Sequence, residues 1–143
     1  MGDMKIKDRE PWKPVLKLSN KAIKLIEGKN FAYLATAMKD GSPQVTPVWV
    51  DREDDLILVN TAVGRLKQKN TKRNPKVAIA IADALNQYDM VAIRGTVIEQ
   101  TTKGALGQID KLAKKYLAKD KYPWLSAQET RIILKIRPER STG

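Results

Sequence analysis

The sequence predicts a mainly β fold with helices (α+β), in which about six antiparallel strands close into a barrel. Three observations carry this expectation. Apolar runs of strand length recur between tight turn signals. No repeated strand–helix–strand unit separates them. The apolar helical patterns are confined to 20–27 and 103–119, with one short basic helix between them. A chain of 143 residues suits one domain, with 1–18 as an N-terminal arm and 19–143 as the barrel.

Each element has a local reason. Residues 1–14 are charged and carry Pro11 and Pro14, which argues against a regular element. Ser19 reads as the N-cap of a helix over 20–27, with Ala22, Ile23, Leu25 and Ile26 as its apolar stripe and Gly28 as a left-handed stop. The run 31–37 predicts a strand, Asp40-Gly41 a turn, and 44–50 the return strand. Pro47 cannot donate to a ladder, so it marks an edge or a bulge. An acidic turn at 51–55 leads to a strand over 56–59, then a loop over 60–64. Arg65 to Asn74 reads as a basic helix stopped by Pro75. Strands follow at 77–82 and 88–101, the second with Gly95 as a bulge and Tyr88 as its packed first residue. A helix over 103–119 presents Leu106, Ile109, Leu112, Ala113, Tyr116 and Leu117 on one face, as a core or dimer surface. The last strand is 132–136, ended by Pro138.

Composition narrows the chemistry. With no cysteine and no histidine, no Cys–His dyad, Ser–His–Asp triad or Cys/His zinc site can be assembled, and no metal site is expected. The usual general base near neutral pH is missing. A catalyst of this composition would rely on a bound cofactor for the reacting groups. No run approaches the roughly 20 apolar residues of a membrane helix, and the N-terminus lacks a signal-peptide core. A cytoplasmic protein with no membrane partner is expected. The net charge is +11, and 19 of 27 basic residues are lysine, a bias also seen in heat-adapted proteins. That charge could steer an acidic cofactor or a nucleic acid.

The segment Asn60 to Pro75 concentrates the candidate chemistry. A strand end, the polar groups of Asn60 and Thr61, Gly64 for a sharp turn, and Arg65 and Lys67 at a helix start together make a seat for phosphate. The spacing is not that of a Walker A loop, and no G-x-G-x-x-G occurs. The bland alternative is a solvated basic helix.

Several runs in order carry a resemblance. They are Phe31-Ala32-Tyr33-Leu34-Ala35-Thr36, Asp40-Gly41-Ser42-Pro43, Thr46-Pro47-Val48-Trp49, Lys67-Gln68-Lys69-Asn70, Arg73-Asn74-Pro75-Lys76-Val77-Ala78 and Arg131 to Arg140. Across about 19–140 the chain resembles the pyridoxamine 5'-phosphate oxidase-like split β-barrel family, most closely its F420- or FMN-dependent branch. The resemblance implies an FMN-binding split barrel and a homodimer with cofactor sites at the interface. It implies that Arg65 and Lys67 contact the cofactor phosphate, that Asn60 and Thr61 add polar contacts, and that Thr46, Pro47 and Val48 line the ring system. Asn70 would brace the basic segment. Thr71 stands where the family usually has leucine, which implies weaker packing of that helix. Without histidine, oxidation of pyridoxamine phosphate itself is not expected.

The implied activity is hydride transfer between bound F420 or FMN and a small substrate, with no catalytic side-chain acid or base. A non-catalytic flavin carrier or sensor is the alternative, and nucleic-acid binding ranks below both. Trp49 is read as core and Trp124 as a minor candidate to cap the pocket. Lys111, Lys114, Lys115 and Lys119 are read as solvated lysines or as a basic face for an acidic cofactor tail.

Overall fold

The computed structural model describes residues 16–143 and the backbone of a two-residue strand at Met4–Lys5; the rest of the expected N-terminal arm lies outside the described residues. The elements in chain order are β1 (Met4–Lys5), α1 (Asn20–Glu27), β2 (Ala32–Ala37), β3 (Pro43–Val48), β4 (Asp51–Glu53), β5 (Leu56–Ala62), α2 (Leu66–Arg73), β6 (Lys76–Ala82), β7 (Met90–Thr101), α3 (Ala105–Leu117) and β8 (Arg131–Thr142).

All eight strands belong to one antiparallel sheet with the path β3-β2-β6-β7-β8-β5-β4, and β1 pairs with β7. The two ends of that path, β3 and β4, are joined by only Trp49 and Val50. Two residues span at most about 7 Å, so the sheet must curl until its edges meet without pairing. This is a split barrel, as expected for a mainly β fold with helices.

Alternation builds the interior. Leu34, Ile57, Ile79, Ile81, Ile93, Leu134 and Ile136 point inward and are almost fully buried. The α1 residues Ala22, Leu25 and Ile26 plug one end of this core. Ser19 Oγ accepts from the Ala22 N–H at 3.1 Å, the cap its position predicts. Helix α3 lies over β5 and β8, burying Ala105 against Leu58 and Ile133.

Several expectations are corrected. Gly28 is extended, not left-handed. The amide of Asn30 closes the α1 C-terminus instead, donating to Leu25 O at 2.9 Å. The acidic stretch forms β4, paired to β5, and the turn falls at Asp54 with φ 53°. Asn60 and Thr61 are not in a loop: β5 runs to Ala62 because β8 offers partners as far as Arg131. Pro138 does not end the last strand. Beyond Ile136 that strand has lost β5 as a neighbour, so the missing proline N–H costs no bond on that side. Pro138 sits opposite Gly95 at the expected bulge. A Cβ at position 95 would lie 2.3 Å from the Arg137 carbonyl oxygen, so only glycine fits there. Tyr88 precedes β7 and is 96% exposed, and Leu106 faces away from the core.

Candidate functional site

The strand β5 delivers Asn60 and Thr61 to the rim of the barrel, and a sharp turn then launches α2. Gly64 makes that turn at φ 93°, in the left-handed region. Arg65 is the N-cap residue and makes no side-chain cap bond, and no acid occupies the first turn of α2. The free N–H groups and positive dipole end of the helix thus face the same space as Arg65 and Lys67.

Beneath α2 runs a chain of buried polar groups. The Gly64 N–H donates to Gln68 Oε1 at 2.9 Å, Gln68 Nε2 to Gln100 Oε1 at 3.0 Å, and Gln100 Nε2 to Thr71 Oγ1 at 2.9 Å. The Thr71 hydroxyl then donates to Lys67 O at 2.7 Å. Thr71 therefore does not weaken the packing of α2; it closes a hydrogen-bonded tie between the helix and β7. Asn70 braces the segment as expected, donating to Thr36 Oγ1 at 3.0 Å and accepting from Arg73 at 2.8 Å.

A pocket of about 170 Å³ opens beside this helix start. Pro47, Val48, Asn60, Thr61, Arg65 and Lys67 all line it, so six of the seven residues singled out from the sequence converge on one cavity. Thr46 does not line it. It alternates with Pro47 along β3, and its Oγ1 is buried with no partner among the described residues. Trp49 has a double role: it stacks on Tyr116 with centroids 5.1 Å apart, and it forms part of the pocket wall. Trp124 also lines the pocket.

Sequence reasoning does not place four wall residues at the site: Phe31, Ile109, Tyr122 and Arg131. Arg131 matters most. Its side chain is only 3% exposed. Its Nε donates to Asn60 Oδ1 at 2.9 Å, its Nη1 to Glu129 Oε1 at 3.0 Å, and its guanidinium lies 5.2 Å from the Tyr122 ring centroid. Asn60 is fixed in turn by donating to Ala105 O and Gln108 Oε1. Arg65 reaches the other oxygen of Glu129 at 3.0 Å.

Three cations thus line the pocket, and one carboxylate, Glu129, bridges two of them from behind the lining. Burial, then repulsion from Arg65 and Arg131, pushes the Lys67 ammonium below its ordinary lysine pKa. No carboxylate among the described residues pairs with it. The Thr61 hydroxyl, on a residue only 1% exposed, also has no partner among the described residues. A buried hydroxyl and an unpaired ammonium on one wall suit an anionic, hydrogen-bonding ligand.

Of the basic face expected at Lys111, Lys114, Lys115 and Lys119, three lysines are engaged within the chain, and Lys119 is exposed beyond the end of α3. Lys111 pairs with Asp51 at 3.0 Å and Lys114 with Asp120 at 3.2 Å. Lys115 is half-buried and donates to the Val50 and Ile26 carbonyls.

Fold and pocket together define an antiparallel split barrel with a basic, aromatic-lined mouth. The chain belongs to the pyridoxamine 5'-phosphate oxidase family, which matches residues 18–142. Among solved structures, an F420 reductase superposes with a TM-score of 0.75 at 27% identity, over 83% of this chain and 94% of that one. A candidate pyridoxamine 5'-phosphate oxidase from Lactobacillus delbrueckii superposes with a TM-score of 0.64 at 27% identity, over 89% and 94%. An FAD-binding protein from Mesorhizobium loti, at 18% identity and TM-score 0.59 over 89% and 94%, shares the fold. No curated protein matches the chain.

Proposed function

We propose that the protein is a flavin- or deazaflavin-dependent oxidoreductase that seats the phosphate of FMN or F420 on Arg65, Lys67 and Arg131. The observation that carries this reading is the convergence of an unpaired Lys67 ammonium and an unpartnered Thr61 hydroxyl on one pocket. Family membership supports it, as does the likeness to a structure named as an F420 reductase. When bound, such a cofactor supplies hydride transfer to or from a small substrate.

The protein's own groups then bind, orient and exclude water. Lys67 and Arg65 neutralise the phosphate, Thr61 hydrogen-bonds it, and Asn60 keeps Arg131 in place. Pro47, Val48 and Trp49 offer an apolar wall for the rings. No side chain in the pocket needs to act as an acid or base, which suits a chain without histidine or cysteine.

One chain supplies only part of such a site. A pocket of 170 Å³ falls below the roughly 300–1,000 Å³ of ordinary ligand sites. We infer that a second copy completes it. The outer face of β3, β2, β6 and β7 bears a shallow apolar groove of about 340 Å³, edged by Tyr33, Val45, Ala80 and Ala92. Small side chains there let two sheets approach closely. The groove neighbours the pocket, because Tyr33 on its wall pairs in register with Pro47 on the wall of the other. The absence of cysteine suits the cytoplasm, and among the described residues no helix is long and apolar enough to cross a membrane.

The reading is tested by loading the purified protein with FMN or with F420 and assaying turnover against quinones and enones. Dimer formation is measured by light scattering. Turnover with one cofactor in a dimer is expected. Stoichiometric binding without turnover would make the protein a carrier or sensor instead. Binding of neither cofactor below the millimolar range would overturn the reading.

A further inference from the structure

We propose that Glu129 is the resident counter-anion of the pocket, which an incoming phosphate must displace from Arg65, and that it sets how tightly the site holds anions. The inference rests on the phosphate seat proposed above and adds the residue that opposes it.

Glu129 occupies the turn before β8, its backbone N–H held by Ser126 O at 3.2 Å. Its two carboxylate oxygens are divided between two guanidiniums, Oε1 on Arg131 and Oε2 on Arg65, each at 3.0 Å. The arginines are held unequally. Arg131 is 3% exposed and has Asn60 and the Tyr122 ring besides Glu129. Arg65 is 51% exposed, and Glu129 is its one side-chain partner among the described residues. Removing the carboxylate therefore leaves Arg131 in position and frees Arg65.

Charge counting gives the direction. Arg65, Lys67 and Arg131 carry three positive charges and Glu129 one negative, so the pocket is left with two in excess. An arriving phosphate gains Arg65 only by taking it from Glu129, and it meets the repulsion of that carboxylate at short range. A carboxylate that merely oriented the arginines would have the opposite effect when removed.

The test uses intact protein and two probe sets. FMN and riboflavin share their rings and differ in the phosphate, so the ratio of their affinities isolates the anion. Inorganic phosphate, followed by quenching of Trp49 and Trp124 on the pocket wall, needs no choice between flavins. Glu129→Gln should raise the FMN-to-riboflavin ratio and the phosphate affinity by about tenfold, the scale of one close charge interaction, with riboflavin affinity unchanged. Glu129→Asp keeps the charge and should stay within about twofold of wild type. Melting curves confirm that both variants fold. If Glu129→Gln weakens or does not change phosphate binding while Lys67→Ala still weakens it, the inference is wrong and the phosphate seat stands. If neither substitution moves the ratio or the phosphate affinity, the seat itself is misplaced and the role of Glu129 falls with it.

Discussion

Two parts of this molecule are rich in cations, the mouth beside α2 and the outer face of α3, and they differ in how the charge is spent. On α3, Lys111 and Lys114 each have a carboxylate, and Lys115 has two backbone carbonyls. At the mouth, Arg65 and Arg131 share the one carboxylate of Glu129, and Lys67 has no carboxylate partner among the described residues. Sequence alone favours the first, through its helix start, and leaves the α3 lysines as either solvated or a field for an acidic tail. The structure separates them by whether each charge finds a partner inside the chain. A basic patch becomes a candidate site when its cations converge and remain under-compensated, not when they are numerous.

The sharpest way to break this contrast is at Arg131. Its guanidinium is buried with Asn60 and Glu129, so Arg131→Ala strands both partners and should cost about 3 kcal/mol of stability, read by chemical denaturation. A cost below about 1 kcal/mol would mean that the mouth is not organised around it. Next is Lys67→Ala, expected to weaken cofactor binding by about 1–3 kcal/mol with little change in melting temperature.

Lys115 sharpens the comparison through pH. Burial, outweighing the nearby Asp51, lowers its pKa from 10.5 to about 8. Between those values the unfolded chain binds more protons than the folded one, so stability rises with pH in that window. Tyr116 acts oppositely above its ordinary value of 10, because burial raises it to about 12 and the unfolded state loses its proton first. Denaturation midpoints should therefore climb from pH 8 to 10 and then stop climbing. Lys115→Met should flatten the climb and leave cofactor affinity intact; an unchanged profile would refute the assignment.

Thr61→Val should cost about 1 kcal/mol of cofactor affinity without loss of stability, because the hydroxyl has no partner among the described residues. At the small end, Lys111→Ala and Lys114→Ala should each change affinity and stability by less than about 0.5 kcal/mol. A larger loss of affinity would restore the α3 face as a cofactor contact.

What could be read from the sequence follows the range of the interactions. Helix α1 was legible because its cap is three residues from its partner. Strands β2, β3 and β6 were legible from short apolar runs between local turn signals. Arg65 and Lys67 were legible because a helix start is a local feature. The extensions of β5 and β8 were not, since that of β5 depends on β8 from 69 to 73 positions away and that of β8 beyond Ile136 depends on β7 from 41 to 50 positions away. Arg131 and Glu129 were missed for the same reason: Arg131 meets Asn60 from 71 residues away and Glu129 meets Arg65 from 64. Nothing near Arg131 in the chain marks it as different from the other arginines of the last strand.

The central claim is that the mouth beside α2, and not the charge of the molecule at large, holds a cofactor phosphate. Equilibrium titration of wild type, Lys67→Ala and Lys114→Ala with FMN and with F420, each at two salt concentrations, tests it most directly. The account predicts that at least one cofactor binds wild type, that Lys67→Ala weakens it by roughly tenfold or more, and that Lys114→Ala does not. Equal weakening by both substitutions, or by neither, would contradict it.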